Sequence, residues 1–136
     1  VMLLVMEYAR LTQSEHGRVV LISSASAGHP VGNAALYSAS KAAAECFIRS
    51  VAQELGTRGI TLNSVQPGLT LTRELPDPSI ADKVSNWTAL GRPGQPQDIA
   101  DVVAFLASDE GRWLTGVTLA ATGGLITSTT NVLTKA

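Results

Sequence analysis

One cysteine in 136 residues rules out an internal disulfide, so no covalent cross-link within the chain braces it. Cys46 lies in an apolar helical pattern where a small buried thiol fits, and a lone thiol accords with a reducing compartment, so a cytoplasmic location is expected. Histidine is almost as scarce. His16 precedes a glycine in a turn and His29 stands in a loop, neither with a second ligand at metal spacing, so no metal site is expected. Charge of one sign is lacking too: ten basic residues against eleven acidic leave a net charge of -1, with no basic surface to attract phosphate backbones or anionic lipid. Neither nucleic acid nor membrane is an expected partner. The opening VMLLVM is broken at Glu7, too short to span a bilayer and without the basic stretch that precedes a secretion signal. The chain opens without methionine, directly inside a helical pattern, so a truncated start is expected. The largest lack is a glycine-rich turn: no GxGxxG or TGxxxGxG follows a strand pattern, so the cradle that presents a helix amino end to a pyrophosphate is missing.

What is present is the composition of one globular domain, 45% hydrophobic and 15% charged. Leu3, Leu4, Ala9 and Leu11 predict a helix over 1–13, closed by the polar QSEHGR. Val19 to Ile22 form a short, β-branched apolar run, which predicts a parallel strand, central and covered on both faces. The small-residue stretch SSASAGHPVGNAA then forms a loop at that strand's carboxyl end, a place where ligands bind in open α/β sheets. From Tyr37 to Leu55 helix formers dominate, with Ala39, Ala42, Ala43, Phe47, Val51 and Leu55 near one stripe and Gly56 and Gly59 available to end it. A second strand is expected over Ile60 to Val65, stopped by Pro67-Gly68. Residues 73–96 read as irregular, a substrate-covering segment, and residues 97–108 as a helix begun at Pro96 and favoured by Asp98 and Asp101. A third strand is expected over Gly116 to Ala121, followed by Thr122-Gly123-Gly124; one domain over 1–127 and a polar tail over 128–136 complete the chain. Trp87 and Trp113 read as packing residues, Trp87 being the better pocket candidate. Strands alternating with helices give an α/β fold with right-handed parallel crossovers in a single open sheet.

The sharpest chemical feature is Tyr37-Ser38-Ala39-Ser40-Lys41, in which a phenol and an ammonium four positions apart share one helix face. A cation beside a phenol favours the phenolate. A hydroxyl that gives a proton to a carbonyl oxygen and takes it back is what hydride exchange between an alcohol and a nicotinamide needs. Ser24, thirteen residues upstream at the strand end, is placed to hold the same oxygen, with Ser23 and Ser26 as rivals. A bare YxxxK occurs by chance in many proteins. Strand, Ser, small-residue loop, Tyr, Lys, strand and Pro-Gly in that order make chance a poor explanation.

These residues resemble the classical short-chain dehydrogenases/reductases, over nearly the whole chain from residue 1 to about Ile126. The resemblance implies the carboxy-terminal half of an NAD(P)-binding, Rossmann-like doubly wound sheet of about three strands and three to four helices. It assigns the catalytic Ser, Tyr and Lys to Ser24, Tyr37 and Lys41, with Tyr37 as acid or base and Lys41 also bonding the nicotinamide ribose. NSVQPGLTLT, residues 63–72, is similar to the family's NxxxPGxxxT segment, so Pro67, Gly68, Leu69, Thr70 and Thr72 are implied to border the cofactor, NAD or NADP. LGRPGQPQDIADVVAFLASDE, with the later TG and GG pairs, resembles the ending of the same enzymes and distinguishes them from the extended epimerase branch. The resemblance further implies a small carbonyl or alcohol substrate and a homodimer or homotetramer in the intact protein.

The chain departs from that pattern in its missing glycine loop, in a catalytic Asn that would fall before residue 1, and in Thr122, where an acidic residue usually precedes the glycines. The isolated chain is expected to be inactive and to self-associate through an unpaired strand edge and uncovered apolar surface. The main rival is a non-catalytic module that dimerises through the Ala42 to Phe47 helix face. A Ser-Lys hydrolase on Ser24 and Lys41 lacks a GxSxG elbow and leaves Tyr37 idle.

Overall fold

The segments RVVLI and TLNSVQP lie side by side as parallel strands β1 (Arg18–Ile22) and β2 (Thr61–Pro67), and TLAA adds a parallel β3 (Thr118–Ala121) beyond β2. The structure, a computed structural model, describes residues 1–72 and 84–125. The ladders run Arg18 to Ile22 against Thr61 to Val65, and Ser64 to Pro67 against Thr118 to Ala121. Parallel neighbours need a crossover between them. Helix α2 (Ala35–Leu55) joins β1 to β2, helix α3 (Pro96–Ala107) lies between β2 and β3 in the chain, and α1 (Met2–Leu11) precedes β1. This is the α/β half-sheet expected from the sequence.

Side chains alternate across a strand, so Leu21 and Leu62 face α2 and meet Ala44, Ile48, Val51, Ala52 and Leu55, with Val5 of α1 and Ile60 closing the cluster. Ile48, Ile60 and Leu62 are completely buried, each contributing roughly 1.5–3 kcal/mol by leaving water. Helix α3 packs on all three strands and buries Leu106 outside that cluster.

Several expectations need correction. Among the described residues β1 is at the sheet edge and β2 is central; Ile22 is 44% exposed. A continuous apolar run reports cover on a strand's faces, not how many neighbours it has in the plane. Cys46 is exposed, not buried. It sits two positions from both Ala44 and Ile48, about 200° around the helix from each, and the buried stripe is correspondingly rotated from the expected one, leaving Ala39 and Ala43 exposed. Strand β2 runs through Pro67 because the missing donor is made good one residue later, where Gly68 N–H bonds the Ala121 carbonyl at 3.0 Å. Strand β3 begins only at Thr118, since Gly116 takes a left-handed turn with φ of 71°. Trp113 is 95% exposed, so it is not a packing residue among the described residues, and Trp87 is half exposed.

Of the segment expected to be irregular, Val84 and Ser85 are helical and residues 86–95 are turns and isolated bridges, fastened at both sides: Ala89 and Leu90 N–H groups bond the Gly124 and Gly123 carbonyls, and Leu71 N–H bonds the Gly94 carbonyl. At the start of α3 Asp98 accepts from Gln95 N–H at 2.7 Å and from both Arg92 guanidinium nitrogens at 2.6 and 2.8 Å. The Arg92 hydrogen bonds first, then that of Gln95, hold the Asp98 carboxyl well below the usual carboxylate range. Residues 73–83 of the expected substrate cover, the 127/128 boundary and the polar tail lie outside the described residues.

Candidate active site

Three parallel strands end on the same side of the sheet, so the loops after Ile22, Pro67 and Ala121 gather there. The first loop separates the three candidate serines. Ser23 N–H extends the ladder to the Val65 carbonyl at 2.8 Å, and its hydroxyl donates to Glu45. Ser24, in extended backbone, caps a 3-10 turn at Ala25–Ala27: its Oγ accepts from the Ser26 N–H at 3.2 Å and the Ser26 hydroxyl at 2.9 Å. Ser23 and Ser26 are buried and have given their protons to neighbours, whereas partly buried Ser24 only accepts in these bonds, leaving its proton for an incoming oxygen.

Helix α2 follows Asn33, whose left-handed φ of 66° turns the chain into it. Tyr37 lies in its first turn, half exposed, and Lys41 one turn later. The Lys41 ammonium donates to the Ile22 carbonyl at 3.0 Å and lies 5.7 Å from the centre of the Tyr37 ring, within cation–π range. Lys41 therefore joins the tyrosine to the strand end that leads into Ser24. Beside it an open groove of about 480 Å³ is lined by Lys41, Ser40, Leu21, Ala44, Val1, Met2 and Leu3.

The second loop is rigidly held. A Cβ on Gly68 would come 2.8 Å from the Thr122 Cα, so only glycine allows this approach of the β2 and β3 ends. Thr70 Oγ1 donates to the Gly68 carbonyl at 3.2 Å, and Gly94 N–H to the Leu69 carbonyl at 2.9 Å; Thr72 is exposed. Gly68 and Leu69 line a cavity of about 170 Å³ with Leu90, Val102 and Thr122, separate from the lining around Lys41. The structure thus brings Tyr37 and Lys41 to the β1 end with Ser24, and places Pro67 to Thr72 at the neighbouring strand end.

Sequence reasoning missed what connects the two ends. Glu45, 5% exposed, accepts from Ser23 Oγ at 2.5 Å and from Gln66 Nε2 at 2.9 and 3.1 Å. The available signal was an acidic residue beside Ala44 in the apolar stripe of α2. Among the described residues no group of three His, Cys, Asp or Glu could hold a metal, and no helix is long and apolar enough to cross a membrane.

A family model described as enoyl-(acyl carrier protein) reductase matches residues 1–126. The 3-oxoacyl-(acyl-carrier-protein) reductase FabG of Pseudomonas aeruginosa is 41% identical over 123 residues, covering 87% of this chain. The chain belongs to the short-chain dehydrogenase/reductase family. Among solved structures, the promiscuous reductase LugOII, which catalyses keto-reduction at C1 during lugdunomycin biosynthesis, superposes with a TM-score of 0.83 at 37% identity over 90% of this chain and 50% of its own. The angucycline C-6 ketoreductase LanV with bound NADP gives 0.81 at 34% identity, covering 90% of this chain and 49% of its own. The chain spans about half the length of the curated relatives it matches, 49% of the Pseudomonas reductase. The three-stranded sheet is accordingly a Rossmann-like carboxy-terminal half, and the family's chemistry is that of oxidoreductases.

Proposed function

We propose that this chain is the proton-transfer half of an NAD(P)-dependent reductase that interconverts a small carbonyl compound and its secondary alcohol. The observation that carries the reading is the placement of Lys41, bonded to the Ile22 carbonyl and lying over the Tyr37 ring. Tyr37, whose side chain is half exposed, gives its phenolic proton to the carbonyl oxygen in reduction and takes it back in oxidation. Ser24 donates to the same oxygen and fixes it, while the Lys41 ammonium stands 5.7 Å from the centre of the ring that gives the proton. The donor set fits the nicotinamide and ribose end of a dinucleotide: Lys41 for the ribose hydroxyls, and the Pro67 to Thr72 backbone with Thr70 and Thr72 hydroxyls alongside. It does not fit the pyrophosphate end, for which no glycine-rich turn is present. Reduced nicotinamide, when bound, supplies the hydride that reaches the carbonyl carbon. The half that binds the pyrophosphate comes from elsewhere in the intact protein, and the isolated chain is inactive.

A second reading, a non-catalytic interaction module, is favoured by the apolar residues that stand in solvent, Leu3 at 87%, Leu36 at 89% and Trp113 at 95% exposure. Nicotinamide fluorescence separates the two. The full-length protein that carries this chain enhances NADPH or NADH emission and consumes it with a carbonyl substrate if the first reading holds; no binding of either favours the module.

A further inference from the structure

The proton exchange proposed above leaves one buried carboxyl unused. Glu45 lies one turn beyond Lys41 on the face of α2 that packs on the sheet, 5% exposed. Its Oε1 accepts from Ser23 Oγ at 2.5 Å and from Gln66 Nε2 at 2.9 Å, its Oε2 accepts from the same nitrogen at 3.1 Å, and an Arg49 nitrogen stands 3.9 Å from Oε2. Placing a carboxyl between a helix and a sheet is costly, and an apolar residue of similar size would fill the space without that cost. A role beyond packing is therefore indicated by what the carboxyl touches. Ser23 is the covalent neighbour of Ser24, and Gln66 of Pro67. Glu45 is thus the one described side chain bonded to both of the strand ends that carry candidate site residues, and it rides on the helix that carries Tyr37 and Lys41.

We propose that Glu45 is a positioning residue, which ties the β1 and β2 ends to α2 and so holds Ser24 and the Pro67-Gly68 backbone at fixed distances from the Tyr37 hydroxyl. A fully bonded polar network in a low-dielectric interior favours a single arrangement. Precision matters here, because a misplacement of about 1 Å can cost about a hundredfold in rate. The proposal rests on the reading of Tyr37 as the reacting acid.

The test uses the full-length protein that carries this chain, with NADPH and ethyl acetoacetate as probes. Wild type, Glu45→Gln, Ser23→Ala, Tyr37→Phe and the exchange variant combining Glu45→Gln with Gln66→Glu are compared for kcat, KM and melting temperature. Glu45→Gln is expected to lower kcat by about tenfold or more, with KM rising less than kcat falls. The exchange variant, which restores one carboxyl and one amide to the cluster, recovers most of that loss, and Ser23→Ala shows a smaller fall in kcat. Wild-type kcat in Glu45→Gln overturns the proposal, and so does a loss that follows the melting temperature and is not restored by the exchange. If Glu45→Gln fails to fold, Ser23→Ala decides, and an unchanged kcat there overturns the proposal. Loss of turnover in Tyr37→Phe alongside a normal Glu45→Gln removes this proposal alone. No consumption of either NADPH or NADH by wild type, or full turnover in Tyr37→Phe, removes the reading of the site and this proposal with it.

Discussion

The Lys41 ammonium reaches across nineteen residues of sequence to the Ile22 carbonyl, 3.0 Å away, and this bond aligns the tyrosine helix with the strand that delivers Ser24. Replacing Lys41 with Met keeps the aliphatic stem and removes the donor and the charge. Weakening of NADPH binding by about tenfold or more is expected, the worth of one charge-assisted hydrogen bond, together with a fall in turnover. Fluorescence titration and steady-state kinetics on the full-length protein measure both; unchanged values would remove Lys41 from the site.

Self-association is expected of the isolated chain. Leu3 and Leu4 are 87% and 75% exposed on α1, and one rim of β1 is unpaired among the described residues. Sedimentation velocity on residues 1–136 should show oligomers or aggregate. A monodisperse monomer with a sharp two-state melt contradicts this.

Gly59 and Gly56 should answer differently to alanine. Gly59 holds a φ of 69° and a Cβ there would run into the Glu15 carbonyl, whereas Gly56 has helical φ of -59° and open space around it. Gly59→Ala should destabilise by more than about 1 kcal/mol, and Gly56→Ala should stabilise by about 0.4–1 kcal/mol. Thermal melts of the two variants check the contrast, and equal shifts would refute it.

Acid should weaken the entry to α3. The Arg92 hydrogen bonds and that of Gln95 hold the Asp98 carboxyl below its ordinary value. Because the folded value is the lower one, the stabilisation is complete above the ordinary carboxylate value of about 4 and is lost as pH falls through the depressed one. The melting-temperature gap between the native sequence and Asp98→Asn should therefore be widest near neutrality and narrow steadily below about pH 4. The pair is exposed at the surface, so salt shrinks the gap. A gap independent of pH would contradict the account.

Much of this layout is legible in the residues. Val19 to Ile22 reads as a parallel strand because strands covered on their faces are continuous apolar runs, the strands expected over Ile60 to Val65 and Gly116 to Ala121 overlap β2 and β3, and the Ala-rich stretch before Leu55 reads as helix by composition alone. YxxxK puts Tyr37 and Lys41 on one helix face by spacing, without any knowledge of the tertiary fold. What is hidden depends on contacts distant in sequence. The edge position of β1 among the described residues is a fact about in-plane neighbours, which Val19 and Val20 cannot report. Cys46 sits among alanines on both the buried and the exposed sides of α2, so composition does not place it, whereas the angle from Ala44 and Ile48 does. The Ser23, Glu45 and Gln66 cluster joins residues 22 and 21 positions apart, and no local spacing pairs Glu45 with either of them.

The central claim is that Tyr37 supplies the proton. It is tested most directly by Tyr37→Phe in the full-length protein, with NADPH binding by fluorescence and kcat with ethyl acetoacetate measured on the same preparation. Loss of one hydroxyl should lower kcat by roughly 10²-fold or more while binding and melting temperature stay near wild type. Wild-type kcat in that variant would contradict the account.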